Sequence, residues 1–264
     1  MTDEAQYLSD KEYRTIFQTF CSFRKIITSL LIDFGLLKSH KILDLAAGHG
    51  FMSFTIREFG YKNEIYPIGL TNDLHSFKQV INRIYPSSMN IQYLVMDTTK
   101  LGFENDSIDF IVNFLGLEDI NMTRGYTGVC QSLSEACRVL RKGGILEIAI
   151  LQRGSEPSDD LNWRLWESIG LNAIFHPPES YIQNIEEKGL KIQKKVLLKS
   201  SRKMTAKQAR EEILFACEKA PQIFKEFNVH VRAFDDVWAE FGSEIGQYGL
   251  GFYPNILVLI FKKI

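Results

Sequence analysis

Apolar and polar positions follow two different rhythms along the chain. In LSDKEYRTIFQTFCSFRKIITSLLIDFGLL, the residues Ile16, Phe20, Phe23, Ile27, Leu30 and Leu31 recur every third or fourth place, the spacing of one apolar helix face. Ser9, with Glu12 three residues later, reads as a capping box at its start, and Gly35 as its stop. After that helix the rhythm shortens. Brief apolar runs alternate with helical stretches: a strand at Ile42–Ala46, a helix at Phe51–Phe59 ended by Gly60, and a strand at Ile65–Leu70. A helix at Leu74–Tyr85 stopped by Pro86 follows, then strands at Ile91–Val95 and Ile108–Phe114. A helix from about Val129 to Leu140, a turn at RKGG and the strand ILEIAIL complete this part. Strands alternating with helices predict parallel βαβ units with right-handed crossovers and helices on both faces.

The remainder is less regular. Residues 160–187 read as helical with a break at Pro177 and Pro178, and LKIQKKVLLKSS as a strand with charge on one side. Thr205–Phe241 reads as largely helical, interrupted at Pro221 and near Asn228, and NILVLIFKKI as a closing strand. The helices at 205–241 thus read as an insertion between the last two strands. The expected organisation is one domain over 1–264. It comprises an N-terminal helical cap at 1–38, a ligand-binding core at 39–152, and a second half at 153–264 holding the insertion.

Composition narrows this picture. The chain has 264 residues, 45% of them apolar, enough for a sizeable core. Its 31 basic and 32 acidic residues give a net charge of -1, a balance that weighs against a nucleic-acid partner. Cys21, Cys130, Cys137 and Cys217 form no CxxC pair, so no metal site is expected and reduced thiols in a cytoplasmic protein are. Asp3, Glu4, Asp10 and Glu12 are wrong for a secretory leader. The apolar run Ile26–Leu37 contains Asp33 and is too short to span a bilayer.

ILDLAAGHGF carries the chemistry. An apolar strand runs into Asp44, and Gly48 and Gly50 follow at once. In an open parallel sheet, ligands sit at the carboxyl ends of strands near a reversal of strand order. Two glycines there let backbone turn tightly and approach a ligand, while the next helix presents free N–H groups. A carboxylate before the turn suits a hydroxyl or an ammonium. A dinucleotide is one candidate, since GHGFMS approximates GxGxxG with Ser53 in the third place. That ligand wants an acid at the end of the second strand, where PIGLTND places Thr71, with Asp73 two residues late. The other candidate is S-adenosyl-L-methionine.

ILDLAAGHG resembles the D-x-x-x-G-x-G first motif of class I SAM-dependent methyltransferases. Four further stretches stand in that family's order: YPIGLTNDLHSFKQVINRI, IQYLVMDTTKLGFENDSIDFIVNFLGLEDI, LSEACRVLRKGGILEIAI and PPESYIQNIEEKGLKIQKKVLL. The resemblance covers roughly 40–200 and the closing strand. It implies a seven-stranded Rossmann-like sheet, mostly parallel with an antiparallel last strand, helices on both faces, an N-terminal helix and a helical lid. It also implies S-adenosyl-L-methionine as cofactor. Ala46, Gly48 and Gly50 would lie against its methionyl part, with Asp44 near the ammonium. Asp97 would accept from the adenine amino group, with Thr98 beside it. Asn113 and Phe114 would line the methyl exit. The family's acid at the second strand end is replaced by Thr71, so Thr71, Asn72 or Asp73 would meet the ribose.

No motif marks a general base. The weak catalytic candidates are His49, Glu118 and Tyr126, with Asp119 and Arg153 nearby; an exposed loop is the plainer reading of His49, and a solvated loop of Glu118 and Asp119. Tyr7 and Tyr13 fall in the first helix, which often covers the cofactor in this family. Phe215, Phe224, Phe227, Phe234, Trp238 and Phe241 sit at helical spacing in the insertion, which marks core more often than a substrate box. GQYGLGFYP adds Tyr248 and Tyr253 at the same end. The expected activity is methyl transfer to a small-molecule acceptor, on oxygen, nitrogen or carbon. Alternatives are a protein or RNA methyltransferase and a non-catalytic SAM-binding subunit. A homodimer is compatible with the sequence, and no membrane partner is expected.

Overall fold

A computed structural model describes residues 10–70, 73–75, 77–78, 91–171, 176–200, 202–223, 225–227, 229–252 and 255–264, with backbone alone for 10–19. In chain order the core elements are α1 (Asp10–Ile32), β1 (Lys41–Asp44), α2 (Phe51–Glu58), β2 (Glu64–Gly69), β3 (Leu94–Val95), β4 (Ile108–Phe114), α3 (Gly116–Val139) and β5 (Leu140–Gln152). Then come α4 (Pro157–Ile169), α5 (Pro178–Glu186), β6 (Leu190–Lys199), β7 (Lys203–Met204), α6 (Ala206–Glu218), α7 (Ala220–Ile223), α8 (Phe234–Tyr248), β8 (Leu250–Gly251) and β9 (Asn255–Lys263).

Seven strands form one sheet in the order β3-β2-β1-β4-β5-β9-β6. β1 runs parallel to β2 and β4, and β9 runs antiparallel to both β5 and β6. Strand order reverses between β1 and β4, so the carboxyl ends of these two strands flank the crevice where such sheets bind ligands. Alternate residues of each strand face opposite layers. Ile42, Val112, Ala149 and Val258 pack under α1 and α2, while Leu43, Ile111, Ile148 and Leu259 pack under α3 and α5. A third core, built from Leu161, Leu165, Ile213, Val237, Phe241 and Ile245, binds the insertion helices to α4. Phe234, Trp238 and Phe241 belong to this third core. They are therefore packing residues of the insertion itself.

Several boundaries differ from the sequence reading. The fourth helix begins at Gly116, not near Val129, because two helices run together across a kink at Gly125 (φ 65°, ψ −176°). Few apolar residues precede Val129, so the periodicity is weak there. Glu118 and Asp119 consequently occupy a helical first turn, where acids favour the positive helix end, and not a loop. β1 stops at Asp44, and Ala46 lies outside it at φ 52°. RKGG is not a free turn but part of β5, which is irregular where it pairs with β4. Only Leu94–Val95 of the third strand is extended. The insertion is closed at its base by a short antiparallel pair, Lys203–Met204 on Leu250–Gly251, which nothing in the hydrophobic pattern announces. Among the described residues no helix is long and apolar enough to cross a membrane.

Candidate functional site

The β1–α2 loop and the β4–α3 loop meet at the strand reversal. Ala46, Gly48, Gly50 and Leu115 all adopt positive φ, at 52°, 50°, 75° and 59°. A side chain at Gly50 would stand 2.6 Å from the Phe77 ring, and one at Gly48 would meet nothing within 4 Å. Gly50 is thus a packing glycine, while Gly48 presents bare backbone to open space. Gly116 lets the two loops touch: a Cβ there would lie 2.7 Å from Ala46 Cβ and 2.8 Å from Ala46 O. Asn113 Nδ2 locks the same junction by donating to Leu45 O at 2.7 Å. Tyr93 closes the loop from the β2 side, with its hydroxyl donating to Gly48 O at 3.0 Å.

Asp44 is buried, and its Oδ2 accepts from Ser53 N at 3.0 Å and Ser53 Oγ at 2.7 Å. It therefore holds the first turn of α2, whatever else it binds. Burial pushes its carboxyl up to about 7 against these hydrogen bonds and the nearby Arg24 charge. Arg24, on α1, is almost wholly buried; its guanidinium faces the Phe51 ring at 5.2 Å and the Phe114 ring at 6.0 Å. It was missed in the sequence, although it stands one turn from Phe20 and Ile27 on the buried face. Glu147, on β5, faces the same layer as Asp44. Its Oε2 accepts from Asn113 N at 3.2 Å, and burial raises its carboxyl well above the usual range.

The expected ribose contacts divide. Thr71 and Asn72 lie outside the described residues. Asp73 Oδ2 accepts from Leu70 N at 2.8 Å, tying the following helical turn back to the end of β2. Burial raises its carboxyl. A Cβ on Gly69 would meet Tyr93 Oη and Asp73 Oδ2, so the Asp73 carboxyl does stand at the strand end where the ribose is expected. Both oxygens of Asp97 have partners: Oδ1 accepts from Thr99 N at 2.9 Å and Thr99 Oγ1 at 2.7 Å, while Oδ2 pairs with Arg124 at 2.7 Å. No helix follows it, so the Thr99 bonds form a local turn, not a helix cap. Thr98 turns inward and bonds Ser132 at 2.8 Å.

Glu118 and Asp119 open α3 beside Gly116. Glu118 Oε1 accepts from Leu151 N at 2.7 Å, and burial pushes its carboxyl up to about 7. Asp119 is an exposed residue, so its carboxyl is raised by partial desolvation and by the Asp73 and Glu118 charges, without the full burial that acts on Glu118. Among the described residues, Asn113 Oδ1, Glu118 Oε2 and Glu147 Oε1 are buried acceptors with no hydrogen-bond partner. Unpaired buried acceptors are costly, and a donor-bearing or cationic ligand would relieve them. The acceptors and the glycine loop thus fit the amine and sulfonium of S-adenosyl-L-methionine.

The other candidates have partners of their own. His49 stacks on Phe51 at 5.4 Å, and burial lowers its pKa to about 4, which makes it a neutral group at physiological pH. Tyr126 lies past the Gly125 kink, packed on His176 at 4.2 Å. Arg153 pairs with Asp160 and faces the Trp163 ring at 5.9 Å. Phe114 ends β4 beside Phe20, whose ring stacks on Phe252 at 6.0 Å. Tyr7, Phe224, Tyr253 and the side chain of Tyr13 lie outside what is described. Among the described residues no cluster of His, Cys, Asp or Glu could hold a metal ion. A cleft of about 910 Å³ lies at the opposite, amino end of β1 and β2 between Lys41, Arg57, Tyr61 and Tyr66. Neither the glycine loop nor the acidic cluster reaches it.

Residues 43–148 match the family model described as a methyltransferase domain. No curated protein matches the sequence. Among solved structures, a candidate sarcosine dimethylglycine methyltransferase from Galdieria sulphuraria superposes with a TM-score of 0.58 at 18% identity, covering 92% of this chain and 86% of that one. The [4+2]-cyclase SpnF gives 0.57 at 14% identity over 90% and 80% of the two chains. A candidate methyltransferase from Bacillus halodurans gives 0.57 at 14% over 84% and 92%. At these identities what is shared is the fold, a seven-stranded, mostly parallel Rossmann-like methyltransferase sheet.

Proposed function

We propose that this chain, which has the class I SAM-dependent methyltransferase fold and matches the methyltransferase-domain family over residues 43–148, transfers a methyl group to a small-molecule acceptor. The observation that carries the reading is the junction at the strand reversal. Bare backbone at Gly48 faces open space in the loop that Asn113 and Gly116 hold at Leu45 and Ala46, and Asn113 and Glu118 keep buried acceptors with no hydrogen-bond partner among the described residues. The loop holding Ala46, Gly48 and Gly50 would receive the methionyl part of the cofactor. Asp73 would meet the ribose and Asp97 the adenine amino group, with Asp44 holding the helix start beneath them.

S-Adenosyl-L-methionine supplies a methyl already activated on sulfonium, so the chain must mainly align the acceptor and exclude water. Phe114, Phe20 and Phe252 come from three separate elements and meet at the carboxyl end of β4, where they would form a dry wall. Glu118 would accept an acceptor's proton through Oε2, which has no hydrogen-bond partner among the described residues. A helical insertion packed on α4, with Met122 and Phe252 at the margin of that core, supports an enclosed, small acceptor over a macromolecule.

The test is calorimetry with S-adenosyl-L-methionine, S-adenosylhomocysteine and NAD, followed by a metabolite-extract screen with methyl-labelled cofactor. Binding of both sulfur compounds and label in a small product are expected. Binding of NAD alone would overturn the cofactor. Label only in protein or RNA would overturn the acceptor class, and tight binding without any product would leave a non-catalytic binding subunit.

A further inference from the structure

We infer that Arg124 is a positioning residue that joins the adenine end of the cofactor site to the helical insertion, so that cofactor binding and insertion closure act as one event. The inference rests on the cofactor site proposed above.

Arg124 has two partners on opposite sides. Its Nη2 lies 2.7 Å from Asp97 Oδ2, and the guanidinium carbon lies 5.1 Å from the centre of the Phe227 ring. Asp97 follows β3 by two residues, whereas Phe227 belongs to the 3-10 turn Lys225–Phe227 of the insertion. The position of Arg124 is itself built by two glycines. Gly125 breaks α3 immediately after it. One turn on, a Cβ at Gly128 would stand 2.3 Å from Arg124 Cβ and 3.4 Å from its Cγ and Cδ. The arginine stem therefore folds down into the space left by Gly128, which aims the guanidinium at Asp97.

The chemistry suits a bridge. Asp97 Oδ1 is held by Thr99, so Oδ2 is the oxygen that can turn outward. A carboxylate oxygen has two lone-pair directions, so Oδ2 can keep Arg124 and still accept from an amino group. Arg124 thus orients the carboxyl without consuming it. A guanidinium can donate in its plane and stack through its face at once; an ammonium cannot. The third core fastens the insertion to α4, with Met122 of α3 packed against its edge, and Arg124–Phe227 adds a separate tie that leads from the insertion to Asp97.

The experiment compares Arg124→Ala, Arg124→Lys and Phe227→Ala with the parent chain. Dissociation constants for S-adenosyl-L-methionine and S-adenosylhomocysteine are measured, with limited proteolysis of the insertion with and without cofactor. Arg124 and Asp97 side chains are about one-third exposed, at 32% and 38%, so the variants should fold. In the parent, cofactor should slow cleavage within 205–248. Arg124→Ala should weaken both sulfur compounds about tenfold in parallel and abolish that protection. Arg124→Lys, which keeps the charge opposite Asp97, should hold affinity within about threefold yet lose the protection. Phe227→Ala should behave like the lysine variant. Parent-like affinity and protection in Arg124→Ala would reduce the contact to a surface ion pair and overturn the inference. Absence of cofactor protection in the parent would also overturn it. Failure of the parent to bind either sulfur compound would instead refute the cofactor site itself.

Discussion

Glu118 and Leu151 join the start of α3 to the end of β5: the glutamate Oε1 accepts the Leu151 backbone N–H at 2.7 Å. The bond fixes one carboxyl oxygen and leaves the other buried without a partner among the described residues. Glu118→Ala should therefore lose about 1–3 kcal/mol of stability, because the Leu151 N–H is left unmade. Glu118→Gln keeps an acceptor for that N–H and should lose much less. Chemical denaturation of the two variants separates the cases. Equal losses would mean that the bond contributes nothing.

The same residue sets a pH dependence. Burial raises Glu118 from the usual 4.5 to about 7, so between these values the folded state holds a proton that the unfolded chain has released. The contribution to stability is complete below the unfolded pKa and is lost as pH rises through about 7. Asp44 and Asp119 shift in the same direction. Cofactor-free protein should thus melt at lower temperature at pH 8 than at pH 5.5. Glu118→Gln should flatten part of that slope. A parent protein whose melting temperature rises across this interval would contradict the assigned shifts.

Ligand binding should run the other way. Asp44, Asp73, Glu118, Asp119 and Glu147 all have raised carboxyl pKa; the Asp73 and Glu118 charges act on Asp119, the Asp44 charge acts on Glu147, and the buried Arg24 charge acts on Asp44. A cation placed among them favours their ionised forms. S-Adenosyl-L-methionine should bind more tightly as pH rises from 6 to 8 and should release protons. S-Adenosylhomocysteine, which lacks the sulfonium charge, should show a shallower dependence. Titrations in buffers of different ionisation enthalpy count the protons. Identical pH profiles for the two ligands would remove the acidic cluster from sulfonium recognition.

The two glycines of the first loop should fail in different ways. At Gly48 the chain has φ 50° and open space above it. Gly48→Val should cost about 1–2 kcal/mol in backbone strain and weaken cofactor binding more than tenfold, or ~1.4 kcal/mol, in a protein that still folds. Gly50→Ala meets the Phe77 ring at 2.6 Å and should chiefly lose stability, by about 1–3 kcal/mol. Gly116→Ala, pressed on Ala46 and Asn113, should lose both stability and cofactor affinity. Melting curves paired with calorimetry check all three. Unchanged affinity in folded Gly48→Val would dispose of the glycine loop as the cofactor seat.

The contrast among these glycines shows what could be read from the chain. The alternation of strands and helices was legible because burial on both sheet faces makes short continuous apolar runs, as at Ile108–Phe114. The glycine turn after Asp44 was legible because it combines a strand end with residues of permissive backbone. Gly116 was present in NFLGLED but went unread, since a close approach between two loops has no periodicity. Helix α3 was cut short for a related reason: Gly125 and a polar first half hide its face. Arg24 and Tyr93 act through contacts with distant segments, and their identities alone carry no such signal. The partners of Asp97 were hidden in the same way, because Arg124 lies 27 positions along the chain.

The second strand end yields the sharpest test. Asp73 Oδ2 accepts from Leu70 N at 2.8 Å, a bond that the amide oxygen of asparagine can replace. Burial raises the Asp73 carboxyl, and its charge also raises Asp119, so removing it relieves an unfavourable charge. Asp73→Asn should therefore melt at the same temperature as the parent or slightly higher. If the carboxylate meets the ribose hydroxyls, cofactor affinity should nevertheless fall about tenfold, since a charge-assisted bond is worth roughly 1.5–3 kcal/mol. Thr71→Asp is the companion variant. With Asp73 already at the ribose, a second carboxylate nearby would repel it, and affinity should fall. With the ribose at Thr71, the new carboxylate should tighten binding. Loss of affinity in both variants identifies Asp73 as the ribose contact, tightening in Thr71→Asp assigns that role to Thr71, and indifference in both places the ribose elsewhere.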